Sequence, residues 1–165
     1  MSKSEDYLKE AFAGESQANR KYLAYAAKAD DEGYPQVARF FRAAGEAETI
    51  HAHNHLRALA GIRSTKENLE DAIAGETYEF KSMYPEMLDA AKAEGNNKAE
   101  TSFHYAMEAE KLHAQLYTKL LDNLSSLKES YPYYVCPVCG HTVENEPPDA
   151  CPVCGTQGKM FKRIE

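Results

Sequence analysis

The chain has 165 residues, 43% of them hydrophobic, and a formal net charge of -7. That is enough for one good domain and a small appendage, but it leaves no surplus of cations to replace phosphate counterions, which excludes a nucleic-acid partner. No run approaches the roughly 18 apolar residues that span a bilayer, and the N-terminal MSKSEDYLKE carries no signal-peptide core, so a cytoplasmic protein without a membrane partner is expected.

Four helices are predicted in chain order. The first starts near Ser4, with Glu5 and Asp6 in its opening turn, and stops near Gly33. Pro35 opens the second and Gly61 closes it. Ser64 and Glu67 form a capping box for the third, which runs to Gly95, with Pro85 inside it to kink it or remove one backbone bond. The fourth covers about Lys98 to Lys128. From Tyr131 the composition turns to Pro, Cys, Val and Gly. The domains are therefore predicted as residues 1–130, helical, and 131–165, small and loop-rich.

The helical part repeats itself. AFAGES from Ala11 matches AIAGET from Ala72, and AGEAETIHAH matches AMEAEKLHAQ, at an offset of 61 to 62 residues. A two-helix unit used twice is expected to pack as an all-α four-helix bundle, because two helices alone bury little.

Steps of three and four residues define an inward stripe on each helix. The first reads Leu8, Phe12, Glu15, Asn19, Tyr22, Ala26, and the second Val37, Phe41, Ala44, Glu48, His51, His55, Leu59. The third carries Ile73, Glu76, Glu79 or Phe80, Met83 and Met87, and the fourth Phe103, Ala106, Glu110, His113, Tyr117, Leu120, Leu124. Each is apolar at its ends and acidic in the middle. Buried carboxylates cost several kcal/mol each unless compensated, and no inward Lys or Arg pairs with all of them. Cations solve the problem. One Glu from each of two helices with Glu-x-x-His from each of the other two is the ligand pattern of di-iron carboxylate bundles. Glu15, Glu48/His51, Glu76 and Glu110/His113 fill it in helix order. A single Glu-x-x-His is commonly a solvated face; two at matching repeat positions are not. Oxygen-rich donors with two imidazoles suit iron or manganese. Glu79 is a spare carboxylate, which favours a site that also holds ferric ions. Glu46, Glu108 and His53 are read as exposed, and His55 as core or a ligand's neighbour.

CPVCG occurs at 136–140 and 151–155. Two C-x-x-C knuckles with Cys136, Cys139, Cys151 and Cys154 specify a four-thiolate metal site, zinc or one iron. Iron makes better functional sense beside a redox site. So small a segment needs its metal to fold.

AFAGESQA around Glu15, the two E-x-x-H pairs, AGETYEFKSMYPEM around Glu76 and the CPVCG pair resemble the rubrerythrin family over essentially the whole chain. The resemblance implies a ferritin-like bundle with a C-terminal rubredoxin-like domain, and a non-haem di-iron peroxidase that reduces hydrogen peroxide to water with electrons relayed through the rubredoxin-like iron. It implies that Glu48 and Glu110 bridge two irons, that Glu15 sits on one and Glu76 and His113 on the other. It further implies that Glu79 and His51 exchange on the first with oxidation state, and that Tyr22 and Tyr84 hydrogen-bond around the ligands. It also implies a homodimer, with helices exchanged between subunits in some relatives; the short loop at 61–66 is the place to look. No G-x-G-x-x-G is present, so electrons are expected from a separate NAD(P)H-linked reductase or a rubredoxin. Iron storage of the ferritin kind is the alternative, but it uses neither Glu79 nor the cysteines.

Overall fold

Ser2 starts the first helix. Its hydroxyl accepts the Glu5 N–H at 3.3 Å, and the Glu5 carboxylate accepts the Ser2 N–H at 2.7 Å, which is a complete capping box. The helix thus begins two residues before the Ser4 start expected, because only Ser2 has a glutamate three residues on. The computed structural model describes residues 2–165 and divides into two compact units, Met1–Arg63 and Ser64–Glu165.

The first unit is a helical hairpin of α1 (Lys3–Asp31) and α2 (Pro35–Ala58). Asn19, Ala26 and Ala29 of α1 and Ala38, Gly45 and Ala52 of α2 are buried. The α2 set recurs every seven residues, a narrow seam of small side chains. Asn19 Nδ2 donates to the Gly45 carbonyl at 2.7 Å and to Thr49 Oγ1 at 2.8 Å, so the one buried amide is satisfied across the seam. The seam lies one residue off the predicted stripe: Val37 is 47% exposed while Ala38 is fully buried. Small residues let the helices approach closely, and the larger stripe residues flank the contact instead of filling it.

The end of α2 differs from expectation in a second way. Ala60 takes the left-handed conformation at φ 52°, and Gly61 donates to the Leu56 carbonyl at 2.9 Å. A Cβ at Gly61 would meet the end of the Leu56 side chain, which would have to move aside. Alanine in the left-handed region costs roughly 1–2 kcal/mol. Ala60→Gly is therefore expected to stabilise the hairpin by about 0.5–1 kcal/mol after the added freedom of the unfolded chain is counted. Thermal denaturation of the two proteins checks this.

In the second unit, α3 (Thr65–Tyr78) opens on the expected Ser64–Glu67 box, and Glu79–Met83 form a π-helical turn. Then α4 (Tyr84–Glu94) ends on left-handed Gly95, and Asn96 caps α5 (Asn97–Asn123). The predicted third helix is thus α3, the π turn and α4. The Tyr84 N–H reaches back to the Glu79 carbonyl. This wide turn sits where Pro85 has no N–H to give and where its ring would crowd the carbonyl four residues back. Both α3 and α4 pack on α5, with Leu88, Ala91, Ala109 and Ala114 buried. The α5 helix stops at Asn123, short of the Lys128 expected.

The C-terminal segment is a three-stranded antiparallel sheet in the order β2–β1–β3, with β1 Tyr133–Val135, β2 Thr142–Glu144 and β3 Lys162–Ile164. Its core is Cys136, Cys139, Cys151 and Phe161, with Tyr105 of α5 packed against it. Lys119 of α5 donates to Glu144 of β2 at 2.5 Å. Among the described residues, no helix is long and apolar enough to cross a membrane.

Candidate metal centre

The predicted carboxylate and imidazole ligands fall into two sets, one in each unit. In the first, Glu15 comes from α1, and Glu48 and His51 share one face of α2, three residues apart. One donor atom from each lies within 4.8 Å of the others. His51 Nδ1 is 2.8 Å from Glu48 Oε2 and 3.9 Å from Glu15 Oε1. In the second set, Glu76 comes from α3, and Glu110 and His113 from α5. His113 Nδ1 is 2.7 Å from Glu110 Oε2 and 3.9 Å from Glu76 Oε2. The sequence repeat is a geometric repeat: each hairpin offers two carboxylates and one Nδ1 in the same arrangement.

The two sets differ in their surroundings. The His51 side chain is 53% exposed and that of His113 only 27%. The outer nitrogen of His113, Nε2, lies 3.0 Å from Thr142 Oγ1 in the C-terminal sheet.

Electrostatics at the second set show carboxylates crowded together. Glu76 is pushed up to about 7, first by burial and then by the charge of Glu110. Glu79 is raised for the same two reasons. Glu110 is held below the usual carboxylate range by its hydrogen bond to His113, which is raised in turn. The Tyr84 phenol is raised by burial and then by Glu110, Glu79 and Glu76, so it shares their neighbourhood. A cation among these oxygens removes the repulsion that lifts Glu76. The donor set therefore fits hard, divalent or trivalent metal ions.

Glu79 opens the π turn and sits near Glu110 and His113, outside the three-donor cluster. The Tyr22 ring packs near Tyr25 and Phe41, at centroid distances of 6.4 and 6.1 Å, and the Tyr84 ring lies 6.4 Å from Phe103. Glu46 and His53 are exposed, and His55 is half-buried. Glu108, expected on the surface, is half-buried beside Ala109.

The four cysteines converge in the C-terminal part of the second unit. Cys136 and Cys154 Sγ atoms are 3.5 Å apart and those of Cys139 and Cys151 3.4 Å apart, with no disulfide. Four thiolates at tetrahedral corners about 2.3 Å from a metal lie nearly that far from one another. Both knuckles turn through a left-handed glycine, Gly140 at φ 79° and Gly155 at φ 77°. Each glycine N–H returns to the first cysteine's carbonyl, at 3.0 and 2.9 Å. Burial raises Cys139. At Cys154 burial is outweighed by the Thr156 hydroxyl and N–H, which bring the thiol down to about 6, and a thiolate is the form that binds metal.

Thr142 and Thr156, which the motifs do not include, touch candidate ligands: Thr142 meets His113 and Thr156 meets Cys154. Each stands just after a CPVCG knuckle, in CPVCGHT and CPVCGT, and that position was the available signal.

The sequence model of the rubrerythrin family matches residues 6–121, and that of the rubrerythrin rubredoxin-like domain matches 134–162. Rubrerythrin-2 of Clostridium acetobutylicum is 37% identical over 95% of this chain and 94% of its own. Rubrerythrin of Porphyromonas gingivalis is 33% identical over 88% of this chain and 81% of its own. The solved structure of nigerythrin in its mixed-valence state superposes with a TM-score of 0.60 at 32% identity, covering 99% of this chain and 88% of that one. Two congruent carboxylate–histidine sets, a four-thiolate site and these matches agree: the chain is a member of the rubrerythrin family, with a ferritin-like helical part and a C-terminal rubredoxin-like domain.

Proposed function

We propose that this protein is a peroxidase that reduces hydrogen peroxide to water in defence against oxidative stress, in the cytoplasm. One peroxide takes two electrons and two protons and gives two waters. Iron held by the carboxylate–histidine ligands would supply those two electrons, and iron held by the four cysteines would pass on their replacements singly from an external NAD(P)H-linked reductase or a rubredoxin. The observation that carries this reading is the 3.0 Å contact between His113 and Thr142. It joins a candidate ligand of one site to the loop of the other, which storage of iron does not need.

The chain's residues take unequal parts. Residues 1–130 provide Glu15, Glu48, His51, Glu76, Glu79, Glu110 and His113 as ligands, and 131–165 provide the four cysteines. His113, less exposed and tied at both nitrogens, suits a permanent ligand. His51, held at Nδ1 by Glu48, suits one that would leave if the bound iron were ferric, with Glu79 as its replacement. A harder ferric ion prefers the carboxylate. Tyr84 keeps its proton beside three carboxylates and serves as hydrogen-bond donor there; Tyr22 serves the other half.

The active form is proposed as a homodimer with exchanged hairpins. A ferritin-like bundle needs one long crossover connection, running back along a 24-residue helix, about 36 Å at 1.5 Å per residue. Only Leu59–Ser64 join α2 to α3, and seven extended steps reach at most about 25 Å. A second copy therefore supplies the complementary hairpin. Co-expression of a Glu48→Ala chain with a Glu110→Ala chain tests this. Exchange puts both lesions in one site and leaves the other intact, so peroxidase activity returns in the mixed dimer; without exchange both sites stay damaged and activity stays lost.

The test against iron storage is direct. Excess ferrous iron in air is expected to leave no mineral core, and peroxide to oxidise the reduced protein far faster than dioxygen does. A core that grows while peroxide reacts slowly would make this a storage protein.

A further inference from the structure

We infer that Thr142 is the positioning residue of His113: its hydroxyl fixes which imidazole nitrogen faces the carboxylates and ties that half of the metal site to the first cysteine knuckle. The inference rests on the metal reading above.

The chain of contacts is short and directional. His113 Nδ1 points at Glu110 Oε2, 2.7 Å away, and Nε2 points at Thr142 Oγ1, 3.0 Å away. Thr142 Oγ1 in turn donates to the Gly140 carbonyl at 2.9 Å. A hydroxyl has one proton to give. With that proton committed to Gly140, its lone pairs are what His113 meets, so Nε2 must carry a hydrogen. Without a cation Nδ1 carries a proton as well and donates to Glu110; with a cation held among Glu76 and Glu110, that proton would leave and the Nδ1 lone pair would face the cation while Nε2 keeps its hydrogen. This is the tautomer that a metal bound among those carboxylates requires. Gly140 follows Cys139 directly, and its left-handed turn presents the carbonyl.

Thr142 and the Gly140 carbonyl act together on this edge of the ring. A cavity of about 270 Å³ beside the contact is lined by Leu116, Tyr117, Leu120 and Tyr133 along with His113 and Thr142. The lining is mostly apolar, and the acceptors that meet this edge of the His113 ring are the Thr142 hydroxyl and the Gly140 carbonyl to which that hydroxyl is itself bonded. The repeat that duplicated Glu-x-x-His did not duplicate the cysteine segment that follows its second copy. Thr142 is thus a local origin for the inequality of the two histidines.

The test titrates cobalt(II) into the full-length protein with its cysteine site already filled by zinc. Thr142→Val keeps the shape and β propensity and loses the hydroxyl; Thr142→Ser keeps the hydroxyl. Thr142→Val is expected to bind cobalt at the carboxylate–histidine site about 10–100-fold more weakly, and Thr142→Ser within about threefold of wild type. With zinc also filling the carboxylate–histidine site of wild type and Thr142→Ser, imidazole ¹⁵N shifts are expected to show His113 protonated on Nε2 and metal-bound through Nδ1. Wild-type affinity in Thr142→Val, an equal loss in both variants, or the opposite tautomer in wild type overturns the assignment. A wild-type protein that takes no cobalt outside its cysteines overturns the metal reading itself, a distinct result.

Discussion

Cys139→Ala is expected to unfold residues 131–165 while leaving the helices intact. The C-terminal core contains four buried residues, and three of them are cysteines. Its strands are three residues each. Segments below about 40 residues rarely bury enough apolar surface to fold without a metal or cross-link, and no disulfide is present. Structural four-ligand sites supply roughly 10–16 kcal/mol of apparent binding energy to such folds. Removing one thiolate forfeits much of that, and docking through Tyr105, Lys119 and Thr142 cannot replace it, because an exposed ion pair and single hydrogen bonds are each worth about 1 kcal/mol. The amide resonances of 131–165 should collapse to the unfolded range while far-UV ellipticity is kept. Dispersed resonances in the variant would show that packing, and not metal, holds this domain.

The second large effect is an asymmetry. His113→Ala is expected to lose one metal per site in both oxidation states, with affinity reduced by more than the roughly tenfold to hundredfold that loss of a ligand's hydrogen-bond partner costs. His51→Ala should keep both metals when oxidised and lose one on reduction. The two histidines occupy equivalent places in the repeat, with Nδ1–carboxylate distances of 2.8 and 2.7 Å, so first contacts alone predict equal effects. What separates them is the hydrogen bond from the far nitrogen of His113. Metal content after desalting the oxidised and reduced forms of each variant decides it. Equal losses in both states for both variants would rule out the exchange of His51 with Glu79.

The donor residues were legible in the sequence because their cost is local. A glutamate and a histidine three apart on a helix face need a reason, and the repeat supplied it twice. The cysteine knuckles were legible for a similar reason: two C-x-x-C pairs in a chain without disulfides leave few uses. Packing was less legible. The stripe through Val37 was assigned to the core by period alone, yet the contact runs through Ala38, Gly45 and Ala52, because close approach is decided by small residues and not by the largest apolar ones. Asn19 looked like one polar residue in a stripe; its two hydrogen bonds across the seam need tertiary partners to be seen. Pro85 announced a disturbance, and the disturbance is a π turn beginning at Glu79. Thr142 was out of reach, since it acts across 29 residues of chain on a histidine that no motif connects to it.

The central claim is that the carboxylate–histidine and four-cysteine sites work as one peroxide-reducing unit. Anaerobic rapid mixing of the fully reduced, iron-loaded protein with limiting peroxide tests it most directly, followed by the absorption of the ferric–thiolate centre. The account predicts that this absorption grows in on the timescale of peroxide loss, with one peroxide consumed for every two electrons, and that Glu110→Ala, which spares the cysteines, abolishes it. Fast peroxide loss with no change at the thiolate centre, or a thiolate change that survives Glu110→Ala, would contradict the claim.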